Sequence, residues 1–182
     1  MSKHLLFIFT LILSGCAINP PIPTENEGWH LRGRIGYWDT NTKESGSIDW
    51  QYCDPENTVL KLQGPLGIGG LKIITQPGLA TLELGEQQYR AESAEELAAR
   101  AGWPLPVEAL QYWVRGRAAP HSPLKGQMNP SGQLIELEQY GWHIQYLSYD
   151  DSSSPLPQKI EATQGSQRLK LIIRDWLTAD CQ

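Results

Sequence analysis

From Trp29 onward the chain alternates apolar and polar residues with a period of two, in run after run broken by turn signals. Leu31, Gly33, Ile35 and Tyr37 interleave with Arg32, Arg34, Gly36 and Trp38; Ile48, Trp50 and Tyr52 interleave with Ser47, Asp49 and Gln51. Successive side chains of a strand point to opposite faces, so each run predicts a strand with one dry face and one wet face. The Asp54-Pro55-Glu56-Asn57 turn leads into residues 58–63, where Leu60 and Leu62 share a face. Residues 71–75 and 81–84 continue the series on either side of Gln76-Pro77-Gly78. About five or six strands therefore meander through the first half.

The period changes in the middle. Ser93-Ala94-Glu95-Glu96 is a capping box, with the Ser93 hydroxyl placed to accept from the Glu96 amide, and Gly102 supplies a stop. A second short helix begins at Pro106, a residue suited to the first helical position. It carries Val107, Leu110 and Val114 at helical spacing and ends at Gly116. Strands resume over residues 133–139, 142–149, 158–163 and 168–174, with Tyr140-Gly141 and Gln164-Gly165-Ser166 as turns. An antiparallel sheet of about eight or more strands curls on itself, and two small amphipathic helices between its halves are available to plug the concave side.

At 182 residues the chain has room for one domain with a substantial core, whereas two would be cramped. Its formal net charge of −5 argues against a general nucleic-acid binder, which needs a basic face. Both phenylalanines, Phe7 and Phe9, lie near the N-terminus, so the rest of the chain draws its aromatic surface from seven Trp and seven Tyr. Trp is highly buried on average, so most of these rings are expected in the core.

The N-terminal segment is of a different kind. Lys3 and His4 precede an apolar run from Leu5 to Leu13, and Leu13-Ser14-Gly15-Cys16 places small residues before a cysteine. Spanning a bilayer takes about 20 apolar residues, so residues 1–15 read as a cleaved leader. The pattern resembles a bacterial lipoprotein signal with its lipobox. That resemblance implies a mature N-terminus at Cys16 carrying an N-acyl chain and a diacylglyceryl group, and no other cofactor is expected. More than one acyl chain holds firmly, at about 0.8 kcal/mol per buried methylene. The protein is therefore expected on a membrane, facing the periplasm. Ala17 stands where bacterial lipoproteins kept at the inner membrane typically carry aspartate, which implies the outer membrane. Residues 16–28, rich in Pro, Asn and Glu, read as a flexible tether, leaving residues 29–182 as a single domain.

Gly64-Pro65-Leu66-Gly67-Ile68-Gly69-Gly70 raises the question of a nucleotide loop. A phosphate loop needs Gly-Lys-Ser/Thr opening a helix, whereas Gly69-Gly70 runs into Leu71-Lys72-Ile73-Ile74, a strand. The stretch is a strand connection that either presents Leu66 at a stiffened tip or folds it back into the core. Catalysis finds little support: His30, His121 and His143 stand apart, without His-Glu-x-x-His, Gly-x-Ser-x-Gly or a cysteine pair at metal spacing. No enzymatic activity, catalytic residue or metal site is expected. Asp49, Glu83 and Glu136 occupy outward strand positions and read as a solvated face. Cys53 and Cys181 lie in a compartment that permits disulfides, but a bridge requires geometry that spacing does not supply.

In order along the chain come the lipobox, the tether, Trp29-x-x-Arg32-Gly33-Arg34, Trp50-Gln51, Gly64-Pro65-Leu66-Gly67, Tyr89 followed by Ala94-Glu95-Glu96, and Pro104-Leu105-Pro106 with Leu110, Trp113 and Gly116. Gln167-Arg168-Leu169-Lys170-Leu171 with Trp176 completes the series. No one of these motifs is specific; their order, over nearly the whole chain, resembles the LolB family. The resemblance implies an incomplete, half-open antiparallel β-barrel with a helical lid over an apolar cavity for acyl chains. It also implies a monomer that accepts lipoprotein cargo from the periplasmic carrier LolA and inserts it into outer-membrane phospholipid without ATP. LolA shares the fold but, as a soluble shuttle, should lack a lipidated cysteine.

In that family a protruding Pro-Leu-Gly turn carries a leucine needed for membrane insertion, a role that transfers to Leu66. Gly64 departs from the polar residue common there, and Ile68 adds a second apolar side chain. With alternation assigning the faces, Ile35, Trp50, Leu60, Leu62 and Leu82 are expected to line the concave wall of the cavity, and Val107, Leu110 and Val114 the lid. One bulge would invert part of that assignment. Exposing an acyl chain of about 14 methylenes to water costs about 11 kcal/mol, so transfer must run downhill from carrier to carrier to bilayer. The alternative is a structural or lipid-binding envelope lipoprotein, which would share tether and barrel without transfer activity.

Overall fold

A computed structural model describes residues 28–65, 70–123 and 125–181. Six strands come first: β1 (Trp29–Trp38), β2 (Lys43–Asp54), β3 (Asn57–Gln63), β4 (Leu71–Gln76), β5 (Leu79–Leu84) and β6 (Gln87–Ala91). Helices α1 (Ala94–Arg100) and α2 (Val107–Trp113) follow. The chain then returns to strands β7 (Lys125–Met128), β8 (Leu134–Gln139), β9 (Trp142–Tyr149), β10 (Pro157–Gln164) and β11 (Gln167–Thr178).

All eleven strands form one antiparallel sheet in the order β6-β5-β4-β3-β2-β1-β11-β10-β9-β8-β7. Two meanders are thus fused where the first strand pairs with the last. Strands β6 and β7 are left as edges, and the helical segment that joins them in sequence spans the concave side between the two halves. The sheet stays open along this gap, so the architecture is a half-barrel with a helical lid.

The two edge strands were not expected from the sequence, for a physical reason. No residue of β6 or β7 is fully buried, and every residue of β7 is exposed. β7 therefore leaves no alternation to read, and β6 leaves only Tyr89 and Ala91, half-buried on one face. The second helix starts one residue later than expected, because Pro106 is its N-cap and Val107 its first residue. In α1 the Glu96 amide donates to the Ser93 hydroxyl at 3.2 Å, as the capping box requires.

A bulge refines the faces. Opposite β1 the register slips between Arg32 and Gly33, where Arg174 is the extra residue of β11. Leu169, Leu171 and Ile173 are buried before it, whereas after it Trp176 packs at the core's margin and Leu177 is exposed. A Cβ on Gly33 would stand 2.1 Å from the Ile172 carbonyl oxygen, so the bulge demands glycine there. A register slip between β7 and β8 acts similarly: Glu136, expected outward, is half-buried, while Ile135 is exposed.

Cys53, in β2, and Cys181, beyond β11, form a disulfide with a Cα–Cα distance of 5.6 Å. It ties the C-terminus beside Gly28, where a Cβ would lie 2.7 Å from the Cys181 sulfur. Of the seven Trp, Trp29, Trp50, Trp103, Trp113 and Trp142 are buried in the core.

Candidate functional site

The concave wall is built from cross-strand rows. Trp50 pairs with Leu60, Leu60 with Ile73 and Ile73 with Leu82, giving one row across β2, β3, β4 and β5. The adjoining row runs Ile48, Leu62, Leu71 and Leu84. Ile35, on β1, stands opposite Leu171 and Gly46. Every expected wall residue, Ile35, Trp50, Leu60, Leu62 and Leu82, is at most 3% exposed. From the lid, Val107 and Leu110 on α2 and Val114 just beyond it are buried in the same cluster. Burying an aliphatic or aromatic side chain of this size contributes about 1.5–3 kcal/mol, so the wall and the lid's underside hold each other in place.

A separate polar fastening holds the lid at its far end. Gln139 is 3% exposed on β8. Its Oε1 accepts from the Trp113 ring N–H at 2.9 Å and from the Ala119 amide at 2.7 Å, and its Nε2 donates to the Ala119 carbonyl at 2.9 Å. Three bonds on one side chain pin the C-terminal stretch of the lid to the second meander, where Trp113 also meets Trp142 at 6.3 Å. On the other side α1 lies over the first meander, with the Arg100 guanidinium 4.8 Å from the Tyr89 ring.

Where the helices meet the first meander there is a cleft of about 210 Å³, lined by Trp50, Thr58, Thr75, Ala80, Ala94 and Val107 among others, with Glu56, Glu92 and Glu108 at its rim. Burial raises the Glu95 carboxyl above the usual carboxylate range, and the charge of Glu108 on the facing helix adds to the effect.

Cys16, Leu66 and Ile68 lie outside the described residues, but the base of the loop carrying Leu66 is defined. Alternation places the turns after β1, β3, β5, β8 and β10 at one end of the sheet; Gly28, the disulfide and the cleft are at the other. At the loop's base a Cβ on Gly46 would stand 2.1 Å from the Gln63 carbonyl oxygen and 3.4 Å from the Gly64 Cα. Gly46 occupies an inward position of β2, in register with Ile48 and Trp50. The chain leaving β3 therefore crosses the inner side of β2 as the loop begins.

Sequence reading missed Gln139 and Gly46. Both are visible in retrospect as exceptions on a dry face: a polar residue two places after Leu137, and a glycine two places before Ile48. Among the described residues no three potential metal ligands cluster, and no helix is long and apolar enough to cross a membrane.

The family model described as Outer membrane lipoprotein LolB matches residues 27–176. The outer-membrane lipoprotein LolB of Cellvibrio japonicus (strain Ueda107) is 41% identical over 156 residues, covering 81% of this chain and 76% of its own. That of Chromohalobacter salexigens is 30% identical over 187 residues, covering 93% and 87%. Among solved structures, a LolA superfamily protein from Nitrosomonas europaea superposes with a TM-score of 0.54 at 10% identity, over 87% of this chain and 89% of that one; at that identity the likeness concerns the fold. With the half-barrel, its lid and its apolar wall in place, these matches carry one conclusion: the chain belongs to the LolB family of outer-membrane lipoproteins.

Proposed function

We propose that this protein takes lipoprotein cargo from the carrier LolA, shelters the cargo's acyl chains between the concave wall and the lid, and delivers them to the outer-membrane phospholipid through Leu66, itself anchored by lipid on Cys16. The observation that carries this reading is the convergence of Ile35, Trp50, Leu60, Leu62 and Leu82 with Val107, Leu110 and Val114 in one apolar layer between the sheet and the helical segment. Wall and lid residues pack against one another in a single buried cluster, so cargo enters by lifting the lid away from the first meander. The acyl chain then covers the apolar wall in the lid's place, recovering about 0.8 kcal/mol per methylene. Exchange of one apolar partner for another keeps the step near balance and removes the need for ATP.

Leu66 belongs to a different step. The described ends of β3 and β4 that bracket this residue lie at the end of the sheet remote from the cleft, and a leucine between them is suited to enter lipid ahead of the cargo. The test is a transfer assay in which LolA loaded with a labelled lipoprotein is mixed with liposomes and either the wild-type protein or Leu66→Asp. The variant is expected to strip cargo from LolA and leave it uninserted. Equal insertion by both proteins would sink the assignment of Leu66, and failure of the wild type to strip LolA would sink the carrier reading.

A further inference from the structure

Polar atoms buried among apolar side chains are nearly always partnered, because an unmade hydrogen bond there is costly. The aromatic handles of this core mostly obey. The Trp113 ring N–H donates to Gln139, the Trp176 ring N–H to the Pro157 carbonyl, and the Tyr149 hydroxyl to the Leu134 carbonyl. Beside Trp50 the Thr58 and Thr75 hydroxyls bond each other at 2.7 Å. Two handles break the pattern: the Trp50 ring nitrogen and the Tyr146 hydroxyl are buried without a hydrogen-bond partner among the described residues. Trp50 is 1% and Tyr146 5% exposed, and both sit on the inward register of their strands, Trp50 lining the cleft. In the sheet order β2 and β9 lie on either side of the β1/β11 seam.

An acyl carrier faces a chemical demand that aliphatic walls do not meet. Each ester-linked chain ends in a carbonyl, a strong acceptor that is drawn from water along with its methylenes and costs free energy if left unpaired. Resting on the carrier function proposed above, we propose that the Trp50 ring N–H and the Tyr146 hydroxyl are donors, each held for an ester carbonyl of the cargo's acyl chains. The protein carries their unmet bonds when empty, and ligand entry satisfies donor and acceptor together. The site then recognises the linkage as well as the chain, so an ester lipid binds better than an ether lipid of equal length.

The test uses the chain with Cys16→Ala, which removes the lipid attachment, and measures displacement of the dye ANS by dioctanoylglycerol and by the matching dioctyl ether of glycerol. Wild-type Trp50 and Tyr146 should favour the ester. Tyr146→Phe should weaken ester binding about 3- to 10-fold, the range one hydrogen bond is worth, and leave ether binding unchanged; Trp50→Phe, which also trims the apolar wall, should lose more affinity for the ester than for the ether. Tyr146→Phe, nearly isosteric, should also melt at the same or a higher temperature when empty. Equal loss for ester and ether, or no loss for either, overturns the donor assignment while the carrier function stands. A fall in the empty-state melting temperature of Tyr146→Phe also counts against it, by revealing a partner for the hydroxyl. If neither lipid displaces the dye from the unsubstituted site, the carrier function fails and the donor assignment with it.

Discussion

Replacing Gln139 by alanine tests how the lid is fastened. The substitution removes three hydrogen bonds at once and leaves the Trp113 ring N–H, the Ala119 amide and the Ala119 carbonyl facing a buried void. An orphaned buried group costs about 1–3 kcal/mol. Partial relaxation keeps the three from adding fully, which puts the expected loss at about 3–5 kcal/mol, in the range reserved for broken buried networks. Urea denaturation followed by linear extrapolation measures it: the midpoint should fall with the slope unchanged, and the Ala119 amide should lose its protection from hydrogen exchange. Gln139→Glu sharpens the reasoning. Its carboxylate still accepts from Trp113 and Ala119 but turns an oxygen toward the Ala119 carbonyl. Protonation restores a donor there, so the deficit relative to wild type should shrink as pH falls. A loss below about 1 kcal/mol for Gln139→Ala, outside the cost of even one orphaned group, would refute the fastening, as would a pH-independent deficit for Gln139→Glu.

Glu95, whose folded-state pKa is raised by burial and then by Glu108, binds its proton more readily folded than unfolded, so its contribution to stability grows as pH falls from neutral and is lost as pH rises through the folded pKa. Glu95→Gln should accordingly gain stability over wild type at neutral pH, with the gain vanishing toward pH 4, read as the difference between the two thermal-melt profiles. The Cys53–Cys181 bond closes a sequence separation of 128 residues; the double serine variant should lose about 2–5 kcal/mol in urea denaturation, and a loss near zero would show that the β1/β11 pairing alone fixes the C-terminus. Gly46→Ala drives a methyl group into the Gln63 carbonyl; the melting temperature should fall and loop-dependent insertion should suffer more than cargo acceptance, whereas parallel losses would remove the loop-positioning role.

Much of this architecture could be read before the fold was known, because a half-buried antiparallel sheet writes its faces into the sequence. Ile48, Trp50 and Tyr52, or Leu60 and Leu62, announce their wall directly, and the helices announce themselves through Ser93 and Pro106. What escaped reading depends on partners far away in sequence. Gln139 is an ordinary polar residue until Trp113 and Ala119 arrive beside it. The pairing of Cys53 with Cys181 needs strands from both ends of the chain to be neighbours. Trp176 and Leu177 exchange the places that alternation assigns them because Arg174 bulges, and a bulge leaves no local mark. Strand β7, wet on both faces, carries no periodic signal, and β6 offers only Tyr89 and Ala91, half-buried at the core's margin.

The pairing of β1 with β11 also governs the order in which the protein can fold. The N-terminal meander holds its first strand ready for a neighbour at the far end of the chain, so the two halves can zip together only once the whole chain is present. Pairings of such long sequence separation form slowly, and until they form the inner flank of β1 is an unpaired edge open to wrong partners. The native cysteine bond requires that zipper to be closed, because its two sulfurs are carried to within bonding distance by the strands on either side of the seam. Oxidation of Cys53 to Cys181 thus stamps the molecule as complete, and a truncated chain lacking β11 has no native route to it.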